Sequence, residues 1–245
     1  MIRLLLAAIA IVLYLVLTFP VLCFLEKKAK KNPEEAGWKS FSMVRWIFKK
    51  ISRIAGITYE VRGLENIPTD RAVLYVGNHR SYFDIVITYA RCKNLTGYIA
   101  KKEMLSIPLL RTWMKRLYCL FLDRENPKEG LKTILQAIDY VKHGVSICIF
   151  PEGTRNNGEE LSLLPFHNGS FKIAEKTGCP IVPMSLNNTC DIFEGHIPFI
   201  KKTHVILEYG KPIYPKELDK DEKKRIGEHC SNIIRETIHK NQALV

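Results

Sequence analysis

The chain has 245 residues and a mass of 28.2 kDa, room for one globular domain of about 180 to 200 residues plus an appendage, and too little for an ordinary two-domain enzyme. Hydrophobic residues at 47% with 14 Gly and 12 Pro exclude wholesale disorder, a collagen-like repeat and a polytopic membrane protein. The 37 Lys and Arg against 25 Asp and Glu leave a net charge of +12, a balance that attracts polyanions: nucleic acid, anionic lipid, or a phosphorylated or acidic substrate.

At the N-terminus, residues 4–25 run for 22 positions without a charge. That length makes about 33 Å of helix, enough to cross a hydrocarbon core of about 30 Å. The run exceeds a signal-peptide core and no small-x-small cleavage site follows it, so it reads as a membrane segment. Pro20 can end the helix early, which leaves a re-entrant or single-leaflet arrangement open beside a full span. Lys27, Lys28, Lys30 and Lys31 follow at once, against Arg3 and the α-amino group before it, a bias that places the rest of the chain on the cytoplasmic face of the cell membrane. Residues 38–54 set Phe41, Val44, Ile47, Phe48, Ile51 and Ile54 at helical spacing, with Lys39, Arg45, Lys49, Lys50 and Arg53 largely opposite. With Trp38 and Trp46 at headgroup level, this predicts an interfacial helix on anionic lipid, ahead of an ordinary helix packed on the domain. Much of the charge excess thus lies beside the membrane segment, which argues against nucleic acid as a partner.

From residue 57 onward, strand-like runs at 57–62, 72–77, 97–100, 119–122, 146–150, 181–186 and 205–210 alternate with helical patterns at 82–92, 104–116, 128–143, 170–176 and 219–240, the last mostly polar and solvent-facing. The alternation predicts an α/β domain, with a largely parallel or mixed sheet flanked by helices. Seven cysteines, an odd number with no C-x-x-C pair, signal neither a zinc ribbon nor a disulfide framework. Three N-x-[ST] sequons, at Asn94, Asn168 and Asn187, are chance matches if the body faces the cytoplasm.

In such sheets ligands bind beyond the carboxyl ends of strands. After the run ending at Gly77 comes Asn78-His79-Arg80-Ser81-Tyr82-Phe83-Asp84, and after Phe150 comes Pro151-Glu152-Gly153-Thr154-Arg155. On one helix His79 and Asp84 would lie about 140° apart and could not touch. They meet if His79 sits in a turn and Asp84 in the first helical turn; Asp84 then holds Nδ1–H and leaves Nε2 to take a proton from a hydroxyl. For the two residues alone, a surface turn with an N-terminal helix acid is the better reading, and their place after a buried strand narrows the gap without reversing it. Arg155 beside a turn rich in backbone donors suits a phosphate or carboxylate, while the bland reading is a tight turn with a solvated arginine. No G-x-S-x-G, G-x-x-x-x-G-K-[ST], G-x-G-x-x-G or H-E-x-x-H occurs, which disfavours a hydrolase elbow, a P-loop, a dinucleotide fold and a zincin.

Taken together, N-H-x-x-x-x-D after one strand and F-P-E-G-T-R some 70 residues on resemble the glycerolipid acyltransferase family, in particular 1-acyl-glycerol-3-phosphate acyltransferases of the bacterial type. Phe121-Leu122-Asp123-Arg124 is similar to the family block ending in Asp/Glu-Arg, and Ile181-Val182-Pro183-Met184 to its V-P-V block. The likeness covers roughly residues 57–215. Where the family's second block usually opens with Gly, this chain has Tyr118.

The resemblance implies direct acyl transfer, without an acyl-enzyme and with no metal or organic cofactor. His79, held by Asp84, would deprotonate the free hydroxyl of lysophosphatidic acid, which attacks the thioester of an acyl carrier protein or acyl-CoA. Arg124 and the Glu152-Gly153-Thr154-Arg155 block would hold the glycerol phosphate, with Lys101 a further phosphate contact and Asn78 at the same site. Residues 1–56 are then an anchor on membrane phospholipid and residues 57–245 the acyltransferase domain. Three other readings remain at this point: an acyltransferase for another lysophospholipid or for glycerol 3-phosphate; a non-catalytic, membrane-tethered protein that binds anionic lipid; and a hydrolase using Ser81 or Ser170.

Overall fold

The apolar runs pair into one seven-stranded sheet of order β1-β7-β6-β2-β5-β3-β4 in a computed structural model that describes residues 1–245. The strands are β1 (Ile57–Arg62), β2 (Leu74–Gly77), β3 (Thr96–Lys101), β4 (Leu120–Leu122), β5 (Ser146–Ile149), β6 (Ile181–Asn187) and β7 (Thr203–Tyr209), each within two residues of its expected bounds. Every neighbouring pair is parallel except β6 with β7, so the sheet is mixed. The direction matters for the site: β2, β5, β3 and β4 run side by side the same way, and their carboxyl ends share one edge.

The central strands β2, β5 and β6 are buried along their whole length, as expected of strands covered on both faces. Along β2 and the residue before it the side chains alternate between two cores. Val73 and Tyr75 join the core under the N-terminal helices, whereas Leu74 and Val76 join the one under the C-terminal helix. On the first side lie α1 (Ile2–Leu17), α2 (Phe19–Ala29), α3 (Pro33–Ala55), α4 (Tyr82–Arg91) and α5 (Pro108–Arg116). On the second lie α6 (Pro127–Lys142), α7 (Lys172–Thr177) and α9 (Ile226–Asn241), with the short α8 (Lys220–Lys224) leading into α9.

Four expectations are corrected. Residues 4–25 do not form one helix: the chain breaks at Thr18, and α1 and α2 meet at a bend of 51°. Pro20 lies in the first turn of α2, where its missing N–H costs nothing, so the proline starts a new helix instead of continuing the old one. No single helix is long and apolar enough to cross a membrane; the bent pair α1–α2 meets that test only when taken together.

The apolar stripe of α3 does not face outward. Phe41, Val44, Ile47 and Ile51 are buried in the first core, where α3 packs on α4, and Phe41 meets the ring of Tyr89 edge-on at 5.3 Å. An amphipathic helix satisfies its apolar face equally well against lipid or protein, and here the sheet's open face supplies the partner. Trp38 and Trp46 stay exposed. Residues 1–56 therefore share a core with the sheet: Ala7, Leu22 and Leu25 are buried in it together with Val205 and Tyr209.

The remaining corrections concern helix ends and faces. The stretch expected as one helix at 104–116 opens as a 3-10 turn (Lys102–Ser106), and Pro108 starts α5. The C-terminal helix is not solvent-facing throughout, since Ile226, Cys230, Ile234 and Ile238 recur at helical spacing and are fully or nearly buried over β6. All seven cysteines are free thiols.

Tyr118 has φ of 59°, in the left-handed region that glycine enters freely and a residue with a Cβ enters at a cost of about 1–2 kcal/mol. Its ring packs edge-on against Tyr140 at 5.4 Å. On the neighbouring strand Gly97 has no room for a Cβ, which would sit 2.1 Å from the Tyr118 carbonyl oxygen. A glycine at this position would take the same backbone conformation without strain.

A candidate active site at the carboxyl edge of the sheet

The turn after β2 carries His79 and the helix that follows carries Asp84. Ser81 caps α4 in extended conformation and accepts the amide of Phe83 on its Oγ (3.1 Å). Asp84, in the first turn, accepts the amide of Ser81 (2.7 Å) on Oδ2. The same oxygen takes the amide of Arg80 (2.7 Å) and the Nδ1 of His79 (2.8 Å). An acidic residue at a helix N-terminus is favoured by the exposed amides and the helix dipole. Here one carboxylate both caps the helix and orients an imidazole. Asp84 is fully buried, and its Oδ1 has no partner. Because a carboxylate can only accept, the pair fixes His79 as the Nδ1–H tautomer and leaves Nε2 free of protein partners. The imidazole stacks on Phe150 at the end of β5 (4.4 Å between centroids, 17°).

The turn after β5 is strapped to the turn after β2. Glu152 accepts the amide of His79 on Oε1 (2.7 Å), and the amide of Asn156 donates to the carbonyl of His79 (2.7 Å). The other Glu152 oxygen accepts the amide of Leu164 (2.9 Å). The residue is buried, and burial raises its carboxyl above the usual glutamate range against the lowering effect of the two amides. Gly153 has φ of 75°, and a Cβ there would approach the His167 ring at 3.2 Å and the guanidinium carbon of Arg124 at 3.6 Å. Arg124, exposed just after β4, therefore lies over this turn.

Arg155 turns toward α4. Its Nη1 donates to Glu194 Oε1 (3.0 Å), its Nη2 to the hydroxyl of Tyr82 (3.0 Å), and its guanidinium carbon sits 3.7 Å from the centre of the Tyr82 ring. Glu194, in the connection between β6 and β7, also accepts the Ser81 hydroxyl on Oε2 (2.6 Å) and the Tyr82 amide on Oε1 (2.8 Å). Lys101 ends β3 opposite Leu122 of β4, exposed and without an ion pair, whereas its neighbour Lys102 is held by Asp123 (3.0 Å). Thr154 is exposed on the turn.

Of the residues singled out in the sequence, His79, Asp84, Lys101, Arg124, Gly153, Thr154 and Arg155 come to the same edge. Asn78 and Glu152 point inward. Asn78 is fully buried and bonds both backbone groups of Leu186, tying the end of β2 to β6 (2.9 Å each). Ser81 spends its hydroxyl on Glu194, and Ser170 is buried in a 3-10 turn, so neither is placed as a free nucleophile. Sequence reasoning missed Glu194, Tyr82 as the platform under Arg155, and Phe150 beneath His79. Glu194 lies 110 positions from Asp84 in a loop with no motif, and only the fold brings it to the site.

The edge thus offers a base with one free nitrogen together with cationic groups suited to an anion, Arg124, Arg155 and Lys101, while the amides of the base's own turn are taken up within the protein. The matching family model is that of the acyltransferases, over residues 58–187, from β1 to the end of β6. The chain is 34% identical to the 1-acyl-sn-glycerol-3-phosphate acyltransferase of Borreliella burgdorferi over 82% of this chain and 78% of that one. It is 30% identical to the enzyme of the same name from Haemophilus influenzae, over 85% and 83%. Its fold is similar to the crystal structure of the 1-acyl-sn-glycerophosphate acyltransferase of Thermotoga maritima, with a TM-score of 0.80 and 26% identity over 98% of this chain and 95% of that one. With a likeness that runs through the whole sheet and both motif-bearing turns, the chain belongs to the acyltransferase family.

Proposed function

We propose that the protein transfers a fatty acyl group from an acyl thioester to the free sn-2 hydroxyl of 1-acyl-glycerol 3-phosphate, giving phosphatidic acid. The observation that carries the reading is the His79–Asp84 pair at 2.8 Å on the edge that also presents Lys101, Arg124 and Arg155. The relatives' shared name supports this acceptor.

In the proposed step, Nε2 of His79 takes the proton of the acceptor hydroxyl as its oxygen attacks the thioester carbonyl. Asp84 holds the ring and stabilises the imidazolium that forms. The tetrahedral intermediate collapses, the carbon–sulfur bond breaks, and the imidazolium returns its proton to the departing thiolate. Ester, free thiol and neutral histidine are the products, so the cycle closes without a covalent enzyme intermediate. Arg155 and Arg124 hold the phosphate, Arg155 through a planar fork that matches its geometry. The donor is an acyl carrier protein or acyl-CoA, both anionic partners for a chain of net charge +12.

The acceptor is a membrane lipid, and the N-terminal pair supplies a surface to meet it. Leu5, Leu6, Val12, Leu13, Val16, Leu17 and Phe24 are exposed on α1 and α2, a concentration that a soluble surface rarely carries. In this reading the pair enters the cytoplasmic face of the cell membrane, with Lys27, Lys28, Lys30 and Lys31 at its edge facing anionic headgroups. The direct experiment incubates membranes carrying the chain with lysophosphatidate and a labelled acyl thioester. Labelled phosphatidate and an equal amount of free thiol are expected; free fatty acid in place of phosphatidate would make the protein a thioesterase and sink the reading.

A further inference from the structure

Glu194 is a buried carboxylate that the reaction does not call for. Its side chain is only 7% exposed, yet it accepts from three donors: the Ser81 hydroxyl, the Tyr82 amide and Arg155 Nη1. Burying a carboxylate is costly unless it is paired and hydrogen-bonded. Capping alone does not account for it, because Asp84 already holds the Ser81 amide at the start of the same helix. What a second acid adds is a link in the other direction, to Arg155. Through it, Arg155 is tied to the first turn of α4, with its guanidinium carbon 3.7 Å from the centre of the ring of Tyr82, the residue whose amide Glu194 also holds.

We propose that Glu194 is a positioning residue that fixes Arg155 to the helix carrying Asp84, so that the acceptor's phosphate and its hydroxyl are held at one set distance from the base. This rests on the acceptor being a glycerol phosphate bound by Arg155. A guanidinium has five N–H donors in a fixed fork. Glu194 and Tyr82 engage one on each terminal nitrogen, which leaves the rest for a phosphate while the plane of the fork is already set. The route from anion to base is short: Arg155 to Glu194, Glu194 to Ser81, Ser81 to Asp84, Asp84 to His79. An arginine held this way loses little freedom on binding, and preorganisation of that kind appears as acceptor affinity.

The test compares wild type with Glu194→Gln, Arg155→Lys and the double variant. Glutamine keeps the size and two of the hydrogen bonds but removes the charge that holds the guanidinium. The expected result for Glu194→Gln is an unchanged Tm, an acceptor KM raised by about tenfold, and a donor KM that does not move. The double variant should be no worse than Arg155→Lys alone, because both changes break one contact. A role in capping only would lower Tm and leave KM alone, and that result overturns the proposal, as does an acceptor defect that adds in full to that of Arg155→Lys. A turnover-free readout separates this from the acyl-transfer reading. The thermal stabilisation given by glycerol 3-phosphate should shrink in Glu194→Gln even if wild type proves inactive on lysophosphatidate; equal stabilisation of both proteins overturns the coupling.

Discussion

The turn after β2 and the bent helical pair at the N-terminus use opposite chemistry to face their surroundings. In the first, the backbone is held by side chains: one Asp84 oxygen accepts two amides and the imidazole, and the backbone of His79 is clamped by Glu152 and Asn156. In the second, Ala7, Leu22 and Leu25 anchor the pair to the core while large apolar side chains elsewhere on it stay exposed. A dense polar network holds one geometry and resists adaptation. An apolar surface with little directional bonding fits a partner that has no fixed shape, such as a lipid bilayer. One region is held by directional bonds and the other presents an apolar surface, so substitutions in the two regions should fail in different ways.

The largest effect belongs to the turn. His79→Ala should lower kcat by at least the 10²–10⁴-fold or so typical of a general base with the fold intact, because Asp84 keeps the amides of Arg80 and Ser81. Asp84→Asn should lose nearly as much activity by releasing the tautomer, and some stability as well, since an amide oxygen would have to serve the same two backbone donors. Wild-type kcat in His79→Ala would end the mechanism.

Next in size is Arg155. Hydrogen bonds to a charged group are worth about 1.5–3 kcal/mol, so losing the fork in Arg155→Lys should raise the acceptor KM by roughly 10- to 150-fold with the donor KM unmoved. Charge alone does not rescue it, since lysine is a point charge without the planar fork that bonds Glu194 and the Tyr82 hydroxyl together. A selective defect in donor KM would reverse the placement of the two substrates.

How much of this was legible in the sequence follows from the range of the interactions. The seven strands were readable because buried parallel strands are short apolar runs bounded by turns, and the His79–Asp84 contact because it is made within five residues. The amphipathicity of α3 was equally plain, but periodicity shows only that a helix has an apolar face and is silent on what covers it; here Tyr89 and the sheet do. Over residues 4–25 Pro20 marked where the apolar run could break, but not the 51° bend or the burial of Ala7, Leu22 and Leu25 in the core. Glu152 was read as facing substrate because it stands in a motif, whereas its oxygens serve the backbone of residues 79 and 164. Glu194 has no local signature, as its partners lie about 40 and 110 positions away.

The exposed apolar face of α1 and α2 can be altered without touching the core, which tests its proposed contact with lipid. Leu5, Val12 and Phe24 are 61, 58 and 60% exposed, so replacing all three by glutamine should leave Tm unchanged. Each removes an apolar group worth up to about 1.5–3 kcal/mol when fully buried, enough in sum to shift partition to liposomes by at least about tenfold. Activity on bilayer lysophosphatidate should fall in step, while activity on a dispersed short-chain acceptor should hold. Deleting residues 1–56 is a poorer test, because it also removes Phe41, Val44, Ile47 and Ile51 from the core. If the triple variant bound liposomes as wild type does, contact with lipid would have to lie elsewhere on the molecule.

The smallest effect sharpens the account of the turn itself. Glu152 is buried beside Asp84 and straps residue 79 to residue 164, and burial sets its carboxyl above the ordinary glutamate value of about 4.3. A carboxyl whose folded value is raised contributes its full stability below the unfolded value and loses it as the pH rises through the folded one. Wild type should therefore lose stability relative to Glu152→Gln as the pH is taken upward from about 4.3, and the gap should level off once the buried group has ionised. The variant begins at a disadvantage, because the amide nitrogen of glutamine faces a backbone donor where the acid offers an acceptor. Tm measured for both proteins across the acidic to neutral range separates the two contributions: the offset at low pH reports the lost hydrogen bond, and the slope of the difference reports the buried charge. A difference that stays flat with pH would mean that the two amides of residues 79 and 164 fully offset the cost of burial, and that the strap holds His79 with no electrostatic penalty.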